Sequence, residues 1–357
     1  MTAQEKFSTG TARTSHTSYA ASGVDVAAAD TAKQLMKQAV QSTQGKDVLT
    51  GMGAFAGILD AKRIKKMQRP ALVASTDGVG TKTLLAAQAC RFDTIGYDLV
   101  NHSVNDLLVQ GARPLFFMDY LAMRKLDPPQ AARIVQSVAA ACREVGCILL
   151  GGETAEMPDV YLPGAFDLVG TIVGVVERDA ILDGSDIVPG DVLLGLPSSG
   201  LHTNGYSLAR RIFAPYPLDT VFPELGEPLV DALLRPHRCY LSEMQLLRAS
   251  LENEVASHSA IKGIAHITGG SFAGNIVRIL PAGMQAVVQT SAWNPPPLFQ
   301  LLAQLGQVTR EEMYRTFNMG IGIVLVVSTG NVEEVRRVLP QLLPIGFIRE
   351  GEGVVLE

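Results

Sequence analysis

The residues best equipped for chemistry gather in a few short stretches. In "STDGVGTKTLL", 75–85, Gly78 and Gly80 let backbone approach a ligand closely, and Thr81 and Lys82 put a hydroxyl and a cation at a helix start, where N–H groups favour anions. The spacing departs from a P-loop, because Thr81 precedes Lys82 and Asp77 heads the turn. A carboxylate suits a phosphate site when Mg2+ bridges the two, since that ion takes one or two carboxylates together with phosphate oxygens and water. The alternative is a plain strand-to-helix turn capped by Asp77.

The second stretch is "YDLVNHSVNDLLVQG", 97–111. Read as a helix, it puts Asp98, Asn101, His102, Asn105 and Asp106 on one arc of about 140°, opposite Val104, Leu107 and Leu108. The arc lacks the Lys and Glu of a solvated face. His102 and Asp106, four residues apart, have transition-metal spacing, but no third soft ligand accompanies them in sequence, so a hard-cation role for Asp106 is the expectation.

In "LLGGETAEMPDVY", 149–161, Gly151 and Gly152 are expected to end a strand and leave Glu153, Thr154 and Glu156 at its C-terminal end, where α/β sites lie. Incidental acids in a turn are the competing reading. "PSSGLHTNGYSLAR", 197–210, carries His202, Thr203, Asn204 and Ser207 into a helix, as substrate contacts or as caps. The glycines of 43–59, among them Gly51, Gly53 and Gly57, mark either an ordinary loop or a close approach to a ligand.

These groups must be held by alternating elements. Apolar and β-branched runs predict strands at 71–76, 115–122, 147–151, 167–177, 191–197, 284–289, 320–327 and 344–349. Helical periodicity falls at 27–43, 81–90, 94–110, 128–145, 204–213, 237–250, 271–280 and 331–339. The pattern indicates a mixed α+β and α/β chain of two domains. The turn-rich, acidic "RDAILDGSDIVPGD" suggests a division at 178/179, after a flexible extension over 1–17.

Bulk properties exclude several classes. Of 357 residues, 47% are apolar and 18% charged, ample for buried cores. A net charge of -5 without a basic cluster argues against nucleic-acid binding. The apolar runs are strand-length, which argues against a membrane span. Cys90, Cys142, Cys147 and Cys239 have no C-x-x-C pairing, as expected for reduced thiols in the cytoplasm.

In order along the chain, "SYAASGVD" (18–25), "STDGVGTK" (75–82), "DTIGYDLVNHSVNDLLVQGARPLFFMDY" (93–120), "GGETAEMP" (151–158), "PSSGLHTNGYSL" (197–208), "HITGG" (266–270) and "EMYRTFNMGIG" (312–322) resemble the phosphoribosylformylglycinamidine cyclo-ligase family. The resemblance implies a homodimer in which N-terminal domains (18–178) share a barrel, each chain adding an α/β C-terminal domain (179–357). It implies ATP-dependent closure of formylglycinamidine ribonucleotide to aminoimidazole ribonucleotide in purine synthesis, with release of ADP and phosphate. It further implies that Asp77, Asp106 and Glu153 hold Mg2+, and that Gly51, Gly53, Gly57, Gly78, Gly80, Thr81 and Lys82 bind ATP. Gly152, Glu153, Thr154, His202, Asn204 and Ser207 would contact substrate, with His202, Asp106 and Lys82 as catalytic groups. Departures from the family pattern are Ala20, Asp159, Ser271 and, in the glycine-rich loop, Ala54 and Ala56.

Overall fold

A computed structural model describes residues 25–251 and 260–357. The expected extension over 1–17, the block at 18–24 and Ala20 lie outside the described residues.

The first half is built on a four-stranded sheet of β3 (Pro70–Gly78), β4 (Arg113–Met123), β5 (Ile148–Glu156) and β6 (Phe166–Glu177), in the order β3-β6-β4-β5. It is preceded by a short hairpin of β1 (Val48–Thr50) and β2 (Ile58–Leu59) in the glycine-rich stretch. Helix α2 (Lys82–Gln88) follows β3, and helices α1 (Val26–Gln41), α3 (Ile95–Leu108) and α4 (Pro128–Glu144) form a layer whose α3 packs on the sheet. The layer's termini follow local chemistry: Asp25 and Asp127 accept from the N–H groups of Ala28 and Gln130, and Pro128 occupies a first-turn position that has no partner to lose. Gly96 lets α3 meet α4 closely, since a Cβ there would overlap the backbone of Ser137 and Val138. Strand β5 continues beyond Gly152 to Glu156, so the turn expected at Gly151–Gly152 is a strand interior.

The second half holds a six-stranded sheet ordered β12-β9-β11-β7-β10-β8, namely β12 (Gly353–Leu356), β9 (Met284–Val288), β11 (Leu343–Glu350), β7 (Val192–Pro197), β10 (Ile321–Val327) and β8 (Ile261–His266). All pairings are antiparallel except β12 with β9. The wholly apolar "IGIVLVV" forms β10, buried along its length between β7 and β8. Strand β8 and the helices at Leu229–Leu234, Pro297–Gly306 and Arg310–Thr316 were not anticipated from periodicity. Residues 237–240, expected to open a helix, have no regular secondary structure and lead into the helix Leu241–Leu251. Among the described residues no helix is long and apolar enough to cross a membrane.

Two departures from the family pattern fall where glycine is favoured. Asp159 (φ 66°) and Ser271 (φ 52°) both sit in the left-handed region. Ser271 is held there by a 2.6 Å bond from its hydroxyl to the Phe317 carbonyl.

Candidate functional site

The polar arc of α3 is buried between the two halves and does not face water. Asn101 donates to the His237 carbonyl at 2.7 Å, and Asn105 donates to the Arg238 carbonyl at 2.9 Å while accepting from the Tyr240 N–H at 3.0 Å. Asp98 accepts from the His237 N–H at 2.8 Å. Helical spacing thus reads the backbone of the irregular segment 237–240, and the carbonyls of His237 and Arg238 that a helix would need are already used.

Lys82 was expected beside phosphate, and the structure corrects this. Its side chain has no exposure, and the ammonium donates to Asp98 Oδ1 (2.6 Å), the Arg235 carbonyl (2.7 Å) and the His202 carbonyl (3.2 Å). Three donors meet three acceptors, leaving none for a ligand. Burial pushes the Lys82 pKa down and the Asp98 pKa up, each opposed by the partner's charge. A sequence signal for this pair existed in Asp98, the first member of the arc.

The remaining arc residues join a cluster at the same junction. His102 Nε2 lies 2.9 Å from Asp77 Oδ2 and 3.7 Å from Asp106 Oδ2, and its Nδ1 is 2.7 Å from Thr203 Oγ1. His266, at the end of β8, approaches Asp106 Oδ1 through Nδ1 at 2.9 Å and His237 Nε2 through Nε2 at 3.1 Å. The hydrogen bond from His102 holds Asp77 below the ordinary carboxylate value. Burial raises Asp106, but hydrogen bonding from His266 and the charge of His102 outweigh it, and the net shift is downward. Burial likewise opposes charge on His102, yet Asp77 and Asp106 carry its pKa upward.

His202 is buried and left-handed (φ 61°), stacked on His237 at 3.9 Å between ring centroids. Its Nε2 accepts from the Ser199 N–H at 3.2 Å, which puts the proton of the neutral ring on Nδ1, and Nδ1 has no partner. Burial, with the nearby cations second, holds its pKa well below the ordinary value. Asn204 donates weakly to Thr203 Oγ1 at 3.4 Å, and Ser207 meets Thr81 hydroxyl to hydroxyl at 3.2 Å. Gly78 donates to Asp77 Oδ1 at 2.7 Å, and Gly80 turns the chain with φ 71°. The stretches 75–82, 98–106, 202–207 and 266–269 therefore meet at one end of the first sheet.

Gly152, Glu153, Thr154 and the glycine hairpin lie elsewhere. Strand β5 is at the edge opposite β3, about 14 Å away along a flat sheet. Asp77 pairs in register with Gly170, Gly170 with Asp119, and Asp119 with Gly152; Glu153 belongs to the next row, with Tyr120, Val169 and Gly78. Adjacent rows point to opposite faces, so Glu153 is on the wrong edge and the wrong face to share an ion with Asp77 and Asp106 in one chain. Gly152 has a steric reason of its own: a Cβ would overlap Asp119 Oδ1. Asp119, unremarked in the sequence, is buried there with its pKa pushed up by desolvation to about 7. Gly57 fits the hairpin against Leu150 of β5, while Gly53 has open space around it and φ 100°. Gly51 abuts the Gln44 side chain.

The chain matches family models described as AIR synthase related protein, N-terminal domain, over 56–176, and C-terminal domain, over 188–355. A phosphoribosylformylglycinamidine cyclo-ligase of Myxococcus xanthus is 46% identical over 344 residues, covering 94% of this chain and 97% of the relative. That of Desulfitobacterium hafniense is 51% identical over 316 residues, covering 88% and 91%. Among solved structures, thiamine-monophosphate kinase from Stenotrophomonas maltophilia shares the fold with a TM-score of 0.65 at 17% identity, covering 90% of this chain and 96% of that one. The hydrogenase maturation protein HypE in complex with ATP does so with a TM-score of 0.64 at 18% identity, covering 91% and 90%.

Proposed function

Because this chain belongs to the AIR synthase related family, and within it to the phosphoribosylformylglycinamidine cyclo-ligases, we propose that the end of β3, the polar face of α3 and the turn at 202–207 form its catalytic centre. The activity is the ATP-dependent cyclisation of formylglycinamidine ribonucleotide to aminoimidazole ribonucleotide, a ligase step of purine synthesis.

The formyl oxygen takes the terminal phosphoryl group of ATP, releasing ADP. The amidine nitrogen then attacks the same carbon, closes the ring and expels phosphate, and one proton is lost. A poor leaving group becomes a good one, so the protein's task is positioning and charge stabilisation. Asp77 and Asp106, ionised and converging from separate elements, suit a divalent cation such as Mg2+ shared with phosphate oxygens. Bound there, that ion would neutralise phosphate charge. The Gly78–Gly80 turn leaves room for phosphate, and the Thr81 and Ser207 hydroxyls, already in contact, supply donors from both halves. His202 Nδ1–H, a buried donor without an acceptor, is available to a substrate oxygen once the turn at 199–205 shifts. Lys82 acts here as a positioning residue, tying the backbone at His202 to α3.

The homodimer and its shared barrel belong to this proposal. Outward Leu72 and Met118 are 65% and 40% exposed, and both sheet edges, β3 and β5, are unpaired among the described residues. An apolar outer face with open edges calls for a cover, and a second sheet of the same kind supplies it. Glu153, Thr154 and the glycine hairpin would then serve the nucleotide from the far edge or from the partner. We place the domain division at 178/179 and the enzyme in the cytoplasm.

The observation that carries this reading is the convergence of Asp77, Asp106, Thr81 and Ser207 from three distant stretches. Asp77→Asn and Asp106→Asn test it. Each should lower kcat with Mg-ATP by about 100-fold or more, and full retention of turnover by both would overturn the assignment.

A further inference from the structure

The block "EMYRTFNMGIG", 312–322, supplies none of the side chains of the catalytic centre, yet Asn318 within it is only 4% exposed and directs its amide at the turn that carries His202. Asn318 Oδ1 accepts from the Gly320 N–H at 2.9 Å and stands 3.1 Å from Ser198 Oγ, while Nδ2 donates to the Gly200 carbonyl at 2.9 Å. A backbone donor on one side and a backbone acceptor on the other fix which amide atom is which. Ser198 and Gly200 flank Ser199, whose N–H donates to His202 Nε2 at 3.2 Å and whose hydroxyl donates to the Pro236 carbonyl at 2.6 Å.

We propose that Asn318 is a positioning residue that acts through His202: by gripping the residues on either side of Ser199, it aims that N–H at Nε2 and thereby sets the ring's proton on Nδ1. A neutral imidazole has one donor and one acceptor nitrogen, so a backbone N–H directed at Nε2 leaves only Nδ1 to carry the proton. Nδ1 is the buried atom that has no partner of its own. Without the grip on Ser198 and Gly200, nothing fixes the direction of the Ser199 N–H, and the ring is released to take either tautomer.

The segment that bears Asn318 is itself braced. Met319 (φ 49°) and Gly320 (φ 96°) turn the chain back through the left-handed region, a conformation that persists only where its surroundings hold it. The Trp293 indole donates to the Met319 carbonyl at 2.9 Å, and the Gly320 carbonyl accepts from the Ser198 N–H at 2.8 Å. Ser271, a departure from the family pattern, adds its hydroxyl bond to the Phe317 carbonyl at 2.6 Å. Phe317 also closes the far end of the turn, because a Cβ on Gly205 would come within 2.3 Å of its ring. Residues 317–320 therefore hold the turn at 198–200 and at 205, and any shift that opens Nδ1 to substrate is confined to 201–204. The inference rests on the functional reading for the use that turnover makes of His202; the place of the ring's proton does not depend on it.

The test labels the full-length protein with 15N-histidine and reads its imidazoles by long-range proton–nitrogen correlation, with the His202 signals assigned by their loss in His202→Gln. The wild-type ring should appear as the Nδ1–H tautomer. Asn318→Asp keeps an acceptor for the Gly320 N–H but sets a carboxylate oxygen against the Gly200 carbonyl, and Asn318→Ala removes both arms. Each should bring in the Nε2–H tautomer and lower kcat by about tenfold or more, with the KM for Mg-ATP changed by less than about twofold. A wild-type ring in the Nε2–H form would overturn the proposal even if the variants fail to fold. Turnover lost while both variants retain the Nδ1–H signature would sink this inference alone. A changed tautomer with kcat unaltered would leave the hold of Asn318 on the ring standing and sink the part given to His202 in the functional reading.

Discussion

Lys82→Met should destabilise the junction between the halves far more than it weakens ATP binding. The ammonium is fully buried and makes three hydrogen bonds, one of them to a carboxylate with no exposure. Removing it strands the Asp98 charge, with Oδ2 already unpartnered, and leaves the carbonyls of His202 and Arg235 without their donor. Breaking a buried ion pair from one side costs about 3–5 kcal/mol, or roughly 4–7 °C in the thermal midpoint of a chain this size. Adding Asp98→Asn removes the stranded charge while keeping an acceptor for the His237 N–H, which Oδ1 now binds at 2.8 Å. The double variant should therefore recover about 2 kcal/mol of the loss. Thermal unfolding followed by circular dichroism, beside the KM for ATP, reads both effects. A tenfold rise in KM with an unchanged midpoint would show that Lys82 reaches phosphate, and would refute the inward role assigned to it.

Other outcomes follow from separate parts of the structure. Gly152→Ala forces a methyl into the space of the Asp119 carboxylate and to 2.7 Å from its carbonyl oxygen. It should cost about 1–3 kcal/mol, partly restored by Asp119→Ala, as denaturation midpoints would report. Met118→Lys, on the outer sheet face, should convert dimer to monomer in light scattering; an unchanged mass would contradict the shared barrel. His202 is held neutral by burial, so its folded pKa lies below the ordinary 6.5. As pH falls below that value the unfolded chain takes up a proton that the folded chain refuses, so stability should decline toward acid. His202→Gln should flatten that decline, and an identical acid limb would count against the buried neutral ring.

Much of this architecture could be read from single segments. The alternation of apolar runs placed β3, β4, β6, β7, β10 and β11 closely, because each buries a face or is buried throughout. The arc from Asp98 to Asp106 was visible as helical spacing, but its partner was not. That partner is the backbone of 237–240, and backbone carries no side-chain signature. The same limit hid the inward turn of Lys82, since a lysine at a helix start looks alike whether it meets phosphate or a buried carboxylate. His266 stood in a recognisable block, yet its approach to Asp106 depends on how the two halves dock. The surroundings of Glu153 were hidden because Gly151–Gly152 look like a strand end, whereas β5 runs on to Glu156 and Gly152 is small to accommodate Asp119 across the sheet. Hairpin β1–β2 and strand β12 are too short for a period to show.

The central claim is that this centre closes a ring at the expense of ATP. Purified protein given formylglycinamidine ribonucleotide and Mg-ATP should form ADP and aminoimidazole ribonucleotide in equal amounts, and ADP formation should cease when the ribonucleotide is omitted. ADP released without the aminoimidazole product would contradict the account and mark the chain as a kinase of the same fold.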